Sequence, residues 1–492
     1  MRRSTSNNTP LLENFQLPKA RKRHLSLATK QKRFVEQLNK YSYDEFSSLF
    51  TPYINTKLFG DFPDKRRRLF TSQLTFWLYL LQIYLKQSCA GVVKFSQVYF
   101  LQKNGQSNSS NNSAYCRAKA RLPKPLLDKL YTSTVSLSED IQKDFTWFGR
   151  EVKVVDGTGF TLPDTKENQT HFPQSSKCQE GCGFPQVSAV GIFSLNTGIL
   201  EGFEYGNKHQ DEKTMWKRFW GNLKPGELVL GDRGFCSYVT LAYLKNSLQV
   251  DTLMRAHQKF KLDLSKKNRI AKDQWILKLY KSQKGYIPTG FDKVSWNEVS
   301  NEITVRIVKI SEYIEGYRSK NIYLMTTLLD HKKYTKEMIE DLYMKRWGVE
   351  LFFRDFKVTL GADRLRSKSL KEVQKEFLMN CIAYNLIRIL MAKAAKRRDC
   401  EIDRISFKGT VDQFVNWQPI WYQKMKISMH QKVSKFMELL VDNLVPSRPG
   451  RSEPRARKYR GRDYNKLNKP RHEMVVDYHR GKPKRKNALT IA

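Results

Sequence analysis

Acidic residues are scarce in this chain. Its 492 residues hold 48 Asp and Glu against 88 Lys and Arg, a formal net charge of +40. That imbalance excludes an ordinary metabolic enzyme as the default reading and calls for a polyanionic partner, either nucleic acid or an acidic membrane surface. Long apolar runs are missing as well. Phe76 to Leu85, the best candidate, is interrupted by Gln82 and stops at Lys86, far short of the ~20 residues that span a membrane. The opening MRRSTSNNTPLLENF has no apolar stretch of the kind a secretory signal needs. Seven cysteines, an odd number with no C-x-x-C pair, fit reduced thiols better than a disulfide framework. His171, Cys178 and Cys182 come nearest to a metal motif, but zinc normally takes four ligands, so they read as ordinary loop residues. No repeat of solenoid period occurs. What is left is a cytoplasmic protein that binds a polyanion and no membrane.

What is present is a large foldable body between two basic ends. Apolar residues make up 40% and aromatics 12% of the chain, which excludes global disorder and allows two to four domains. Residues 1–34 carry nine basic residues against the single acid Glu13, and residues 446–492 carry fifteen against four, with five prolines. Segments of that composition bury too little apolar surface to offset their ordering entropy and read as flexible arms. Residues 35–95 have helical periodicity, the polar cluster NGQSNSSNNSAY breaks it, and Pro125 to Val135 reads as a further short helix with proline in its first turn. From Glu151 the pattern turns to strands: EVKVVDG, then QVSAVGIFSL and ILEGFEYG flanking an Asn-Thr-Gly turn. A helix from about 210 to 222, the buried strand ELVLGD, a helix over 237–247 and the strand DTLMRAH follow. Residues 258–320 alternate like strands, NIYLMTT is another strand, and 335–358 and 370–397 are strongly helical. This succession describes an α/β core with an insertion.

Three acids stand where chemistry could use them. Asp156 closes the apolar run VKVVD ahead of Gly157, and Asp232 closes LVLGD ahead of Arg233 and Gly234. Carboxylates at the ends of buried strands suit metal ligation, although a strand-end Asp also serves as a helix cap or turn former. The third, Glu350, lies in the helical stretch 335–358. At about 100° per residue, Tyr343, Arg346, Glu350 and Lys357 fall within a stripe of roughly 60°, beside an aromatic arc of Phe352, Phe353 and Phe356. An exposed Arg346–Glu350 pair alone would add only ~0.3–0.5 kcal/mol, and leaves the coincidence with two strand-end acids unexplained.

The spacing Tyr343-x2-Arg346-x3-Glu350-x6-Lys357 matches without gaps the Y-R-E-K signature of bacterial DDE transposases, and the chain resembles those of the insertion sequence 4 family. VVDGTGF, LVLGDRGFCSY, the LRSKS after the signature and AYNLIR beyond it are similar too, from about Tyr115 to Lys396, as is the tail SRPGRSEPRARK. The resemblance implies a ribonuclease-H-like α/β catalytic core with a β-rich insertion between second Asp and Glu, preceded by a helical domain and followed by a helical segment and basic tail. It divides the chain into a basic arm (1–34), a helical DNA-end-binding region (35–140), two parts of the core (141–257 and 321–400) around the insertion (258–320), a helical segment (401–445) and a basic tail (446–492).

By the same resemblance Asp156, Asp232 and Glu350 bind two Mg²⁺ ions, with Mn²⁺ as a substitute, and Tyr343, Arg346 and Lys357 contact DNA phosphates. The implied activity is binding of terminal inverted repeats, metal-dependent cleavage and transfer into target DNA, by a homodimer at the bacterial nucleoid. A nuclease or resolvase that cuts without joining, and an inactive DNA-binding regulator, are the competing readings. Some relatives place a base-stacking tryptophan where this chain has Ile322, which leaves Tyr323 or Trp296 for that role. His209 reads as a capping or structural histidine, and Glu212 is open between site and surface.

Overall fold

The apolar runs on either side of Asn196, Thr197 and Gly198 can pair only if the chain reverses sharply between them. The computed structural model describes residues 49–417 except 67, 105–106, 283–286, 288–290, 292 and 311–320, then 428–442, 444–446 and isolated positions beyond 466. The arm 1–34 and nearly all of the tail 446–492 therefore lie outside the described residues. The reversal joins β2 (Gln186–Ser194) to β3 (Leu200–Asn207), which pair antiparallel. Gly198 has φ +70°, and a Cβ there would stand 3.0 Å from both the Arg388 guanidinium and the Phe352 ring, so only glycine fits.

β1 (Val152–Thr161) pairs antiparallel with β2 along its length and parallel with β4 (Leu228–Gly231), which pairs parallel with β5 (Asp251–Arg255). The order β3-β2-β1-β4-β5, three antiparallel strands and then two parallel ones, is the ribonuclease-H-like arrangement. The strand-like residues that follow extend this same sheet. β6 (Arg269–Ala271), β7 (Gln274–Tyr280) and β8 (Glu302–Ile310) are antiparallel neighbours, and β9 (Ile322–Thr326) links β8 to β5, so nine strands form one sheet. Arg306 of β8 is fully buried and satisfied: its Nε donates to Gln274 Oε1 at 3.0 Å and its Nη1 to the Tyr334 carbonyl at 2.7 Å.

Helices cover both faces. In the N-terminal region, α1 (Ser72–Tyr84) is capped by Thr71 and buried on all sides, α2 spans Cys89–Asn104, α3 Ser113–Arg121 and α4 Lys124–Ser136. The helical periodicity of 35–95 does not give one helix, because Lys86 adopts φ +53° and turns the chain between α1 and α2. On one face of the sheet, α5 (Glu212–Lys217) contributes Met215 and Trp216 to a core with Val155, Val190 and Val229. The short α6 (Lys293–Glu298) packs at the inserted strands. The opposite face carries α7 (Lys336–Lys345), α8 (Gly348–Arg354) and α9 (Leu370–Arg398), followed by α10 (Phe407–Asn416) and α11 (Met429–Asp442). α9 is long and apolar enough to cross a membrane, yet 89% of its most apolar stretch is buried inside the protein. It is the spine against which α1, α4, α10 and α11 pack.

Between α8 and α9 one ion pair is closed off from water. Arg388 Nη2 lies 2.9 Å from Asp355 Oδ2, with side chains 4% and 10% exposed. The same guanidinium donates through Nε to the Tyr384 hydroxyl at 2.9 Å and lies over the rings of Phe352 and Phe407. Removing one member strands a buried charge, so Arg388→Leu should cost ~3–5 kcal/mol. The paired Arg388→Leu, Asp355→Leu variant should recover most of that loss. Urea unfolding midpoints of the two variants check this, and equal losses in both would mean that packing rather than charge sets the cost.

Candidate metal and phosphate site

β1 and β4 run parallel in the register Val152↔Leu228 to Val154↔Leu230. Two residues further along each strand stand Asp156 and Asp232, so the register carries the two acids to the same level on neighbouring chains. Side chains alternate across a sheet, and Val154 and Leu230 belong to the core beneath α8 and α9. Both acids therefore share the face that carries Glu350. Asp156 does not end its strand, contrary to the reading of VKVVD. β1 continues to Thr161 because β2 goes on pairing with it past Asp156↔Gly191, whereas β4 stops at Gly231. Asp156 thus stands where the sheet splits, with one side of its strand open.

Each acid is fixed by a local amide. Asp156 Oδ1 accepts from Gly157 N at 2.8 Å, and Asp232 Oδ1 from Gly234 N at 2.7 Å. Burial pushes the Asp156 carboxyl up to about 6, the charges of Asp232 and Glu350 add to the rise, and the Gly157 amide and Arg346 oppose it. Glu212 is also raised, chiefly by burial and then by Asp156, Asp232 and Asp211.

The signature segment is not one continuous helix. Thr335 caps α7, whose regular bonding lapses at Arg346 and Trp347. There the bonds tighten to i→i+3, Arg346 N to Tyr343 O and Val349 N to Arg346 O, both 3.0 Å. Gly348 at this point has the weak helix propensity that permits the change. After α8 the coil widens to a π-turn over Asp355–Thr359, with Leu360 N bonded to Asp355 O. This departs from the single helix expected over 335–358.

Tyr343, Arg346 and Lys357 nonetheless meet the two acid-bearing strands. The Tyr343 hydroxyl faces the Gly231 carbonyl at 3.5 Å, and burial pushes its pKa up to about 12. Arg346 Nη1 lies 3.7 Å from Asp156 Oδ2, and its guanidinium sits over the Trp347 ring at 4.5 Å. Arg346 Nε is buried without a hydrogen-bond partner. Lys357 Nζ donates to the Gly159 carbonyl at 2.6 Å and to Thr158 Oγ1 at 3.2 Å, on β1 just beyond Asp156. Glu350 is exposed on α8.

The transposase DDE domain family matches residues 147–386, which include all six of these residues. Residues 147–386 are thus similar to a transposase DDE domain over just under half of the chain. The transposase InsG for insertion sequence element IS4 of Escherichia coli (strain K12) is 26% identical over 292 residues, 58% of this chain and 62% of that protein. The transposase for insertion sequence element IS231C of Bacillus thuringiensis subsp. berliner is 21% identical over 330 residues, 57% of this chain and 66% of that one. The chain thus spans about two thirds or less of the length of these curated relatives. Among solved structures, piggyBac transposase in a synaptic complex with hairpin DNA aligns at TM-score 0.44 and 10% identity, over 83% of this chain and 87% of that one.

Around these acids, the other sequence candidates fall unevenly. Tyr323 is half-buried on β9, opposite Lys309, and its carbonyl accepts from Ala256 N just past the end of β5. This is the rim of the sheet on which Asp232 stands. Trp296 packs edge-on to Phe291, and Lys281 Nζ covers its ring at 4.4 Å, so the structure joins it to the insertion rather than to the acids. Capping of α5 falls to Asp211, whose Oδ1 accepts from Lys213 N at 3.1 Å, and not to His209. Among the described residues no three His, Cys, Asp or Glu side chains stand close enough to enclose an ion. The donor set still suits a hard divalent cation. It is made of carboxylate oxygens, and their mutual repulsion adds to the effect of burial in raising Asp156, a contribution that an ion placed between them would reverse.

Proposed function

We propose that this chain is a DNA transposase that binds the terminal inverted repeats of its own element, cuts there and joins the ends to target DNA. One observation carries the reading. Asp156 and Asp232 lie side by side at a split in the sheet, faced by a buried guanidinium whose Nε has no partner. An unsatisfied buried donor costs ~1–3 kcal/mol, and a phosphate oxygen is the acceptor that a guanidinium fork matches best. The resemblance to transposases of insertion elements supports the same reading.

Asp156, Asp232 and Glu350 hold the metal, taken as two Mg²⁺ ions with Mn²⁺ as a substitute. When bound, the ions stabilise charge on the attacking and leaving oxygens and activate water. Arg346 grips a phosphate of the DNA end from the helix break. Tyr343 offers its hydroxyl at the end of β4, and Lys357 presents an ammonium beside β1. Burial lowers the Lys357 pKa, and a phosphate nearby restores the charged form. Tyr323, at the rim of β9, stacks a base displaced from the end. The net charge of +40 supplies sequence-independent attraction to the duplex. Two chains pair the two ends as a homodimer, working on DNA in the cytoplasm at the nucleoid.

Asp156→Asn, Asp232→Asn and Glu350→Gln should each abolish nicking of an end-bearing duplex in Mg²⁺ while leaving its binding intact, measured by gel shift beside a cleavage assay. Near-normal nicking by any one of them removes that acid from the site. Arg346→Ala should nick but accumulate unprocessed ends, since misplacement by ~1 Å costs on the order of 10²-fold. Arg346→Lys should recover only part, lacking the planar fork. A time course on end-labelled donor DNA resolves the species. Loss of nicked, excised and joined products in strict proportion would assign Arg346 to the fold or the metal site instead.

A further inference from the structure

α1 ends in a turn that favours glycine, and a lysine stands there instead. Lys86 has φ +53°. Its amide bonds to the Ile83 carbonyl at 3.0 Å and the Gln87 amide to the Gln82 carbonyl at 3.1 Å. These are the paired bonds of a helix end whose left-handed residue is most often glycine, and a side chain at that position carries a cost that glycine avoids. What the lysine reaches lies 272 residues further along the chain: its Nζ donates to the Val358 carbonyl at 3.2 Å. Its stem passes Gly361, with Cδ 3.9 Å from where a Cβ would stand.

Val358 lies in the wide turn Asp355–Thr359, next to Lys357. The last carbonyls of a helix have no helical donors. Here Asp355 O takes the Leu360 amide and Lys357 O the Asp363 amide, both at 3.0 Å, and Val358 O takes the lysine. A second cation braces the lysine's own turn. Arg366 Nη1 donates to the Gln87 carbonyl at 2.6 Å and Nη2 to the Lys86 carbonyl at 3.3 Å. The backbone that carries Arg366 is fixed in its turn, since its amide and that of Ser367 donate to the Glu376 carboxylate of α9 at 2.9 and 2.8 Å. The α1–α2 turn and the stretch 358–366 therefore hold each other at two points, with a cation supplied from each side.

Left-handed conformations outside glycine persist where the surroundings over-determine them, and they gather at functional sites. We propose that Lys86 is a positioning residue for the DNA end: its ammonium, on a turn braced by Arg366, fixes the close of the wide turn and so holds Lys357 beside β1 to meet a phosphate. This rests on the reading of Lys357 as a phosphate contact. Arg388 anchors the start of the wide turn through Asp355, and Lys86 anchors its end. That second anchor belongs to the N-terminal helices, which thereby help to set where the phosphate-facing lysine stands.

Single-turnover processing of an end-labelled donor duplex carrying the terminal repeat tests this, with thermal unfolding and gel shifts at several salt concentrations measured alongside. Lys86→Gly removes the ammonium and suits the left-handed backbone better, so its melting temperature should match or exceed that of the unaltered chain. With DNA saturating it should process ends at least ~10-fold more slowly, since misplacement by ~1 Å costs on the order of 10²-fold. Affinity for the duplex and its salt dependence should stay unchanged, and Lys86→Arg, which also reaches the carbonyl, should restore the rate. Lys357→Ala is the control and should be slow. A normal rate in Lys86→Gly beside a slow Lys357→Ala overturns the role of Lys86 alone. A normal rate in Lys357→Ala overturns the phosphate reading beneath it. Slowing of Lys86→Gly only in step with a fallen melting temperature would make the lysine structural and overturn positioning. A slope of log K against log[salt] shallower by ~0.9 would mean that Lys86 touches a phosphate directly, and would overturn it too.

Discussion

Carboxylates cannot gather at the ends of buried strands without positive charge among them, and this chain meets that constraint in two different ways. At the starts of β1 and β4, Lys153 inserts a buried ammonium among Glu151, Glu201 and Glu227, at 2.9, 2.6 and 3.5 Å. That cluster holds a counter-ion of its own. At the far ends of the same two strands no lysine takes that place. Asp156 meets Arg346 only at 3.7 Å, and its pKa rises because Asp232 and Glu350 add to the effect of burial. One end of the sheet holds a buried ammonium in direct contact with its carboxylates, whereas at the other Asp156 has only the more distant Arg346.

Irregular backbone builds the second end. A sheet that paired β1 and β4 along their whole length would close the space beside Asp156. The split after Val154↔Leu230 opens it, and Gly157 lets a carboxylate approach the strand. The tightened turn at Arg346 and the wide turn at Asp355–Thr359 work in the same way on the helix side. The first buries a guanidinium over Asp156, and the second carries Lys357 to Thr158 and Gly159. Asp355, anchored by Arg388, ties the wide turn to α9, so α9 helps to fix Lys357 beside β1.

These features divide into those legible in the residues and those that are not. Strand alternation and the glycines after each acid reveal β1, β4 and the pair Asp156–Asp232, because period-two patterning and turn chemistry are local. The Y-R-E-K spacing leads to Tyr343, Arg346, Glu350 and Lys357, although a regular 3.6-residue projection hides both departures from the helix. Gly348 is the one local sign of the first. That the inserted strands extend the central sheet depends on β9 pairing with β5 and β8, contacts between distant parts of the chain that alternation cannot reveal. The approach of Glu212 to Gly157 has no spacing rule behind it, since Glu212 sits 56 positions from Asp156 on a six-residue helix.

The proposed reaction joins DNA as well as cutting it. A duplex ending in the terminal repeat with a free 3′-OH, incubated with the chain, Mg²⁺ and supercoiled plasmid, measures that step apart from cleavage. Covalent insertion of the labelled end into the plasmid is the expected result, abolished by Asp156→Asn. Efficient nicking of uncut end DNA with no joined product from the pre-cut end would contradict it and leave a nuclease in its place.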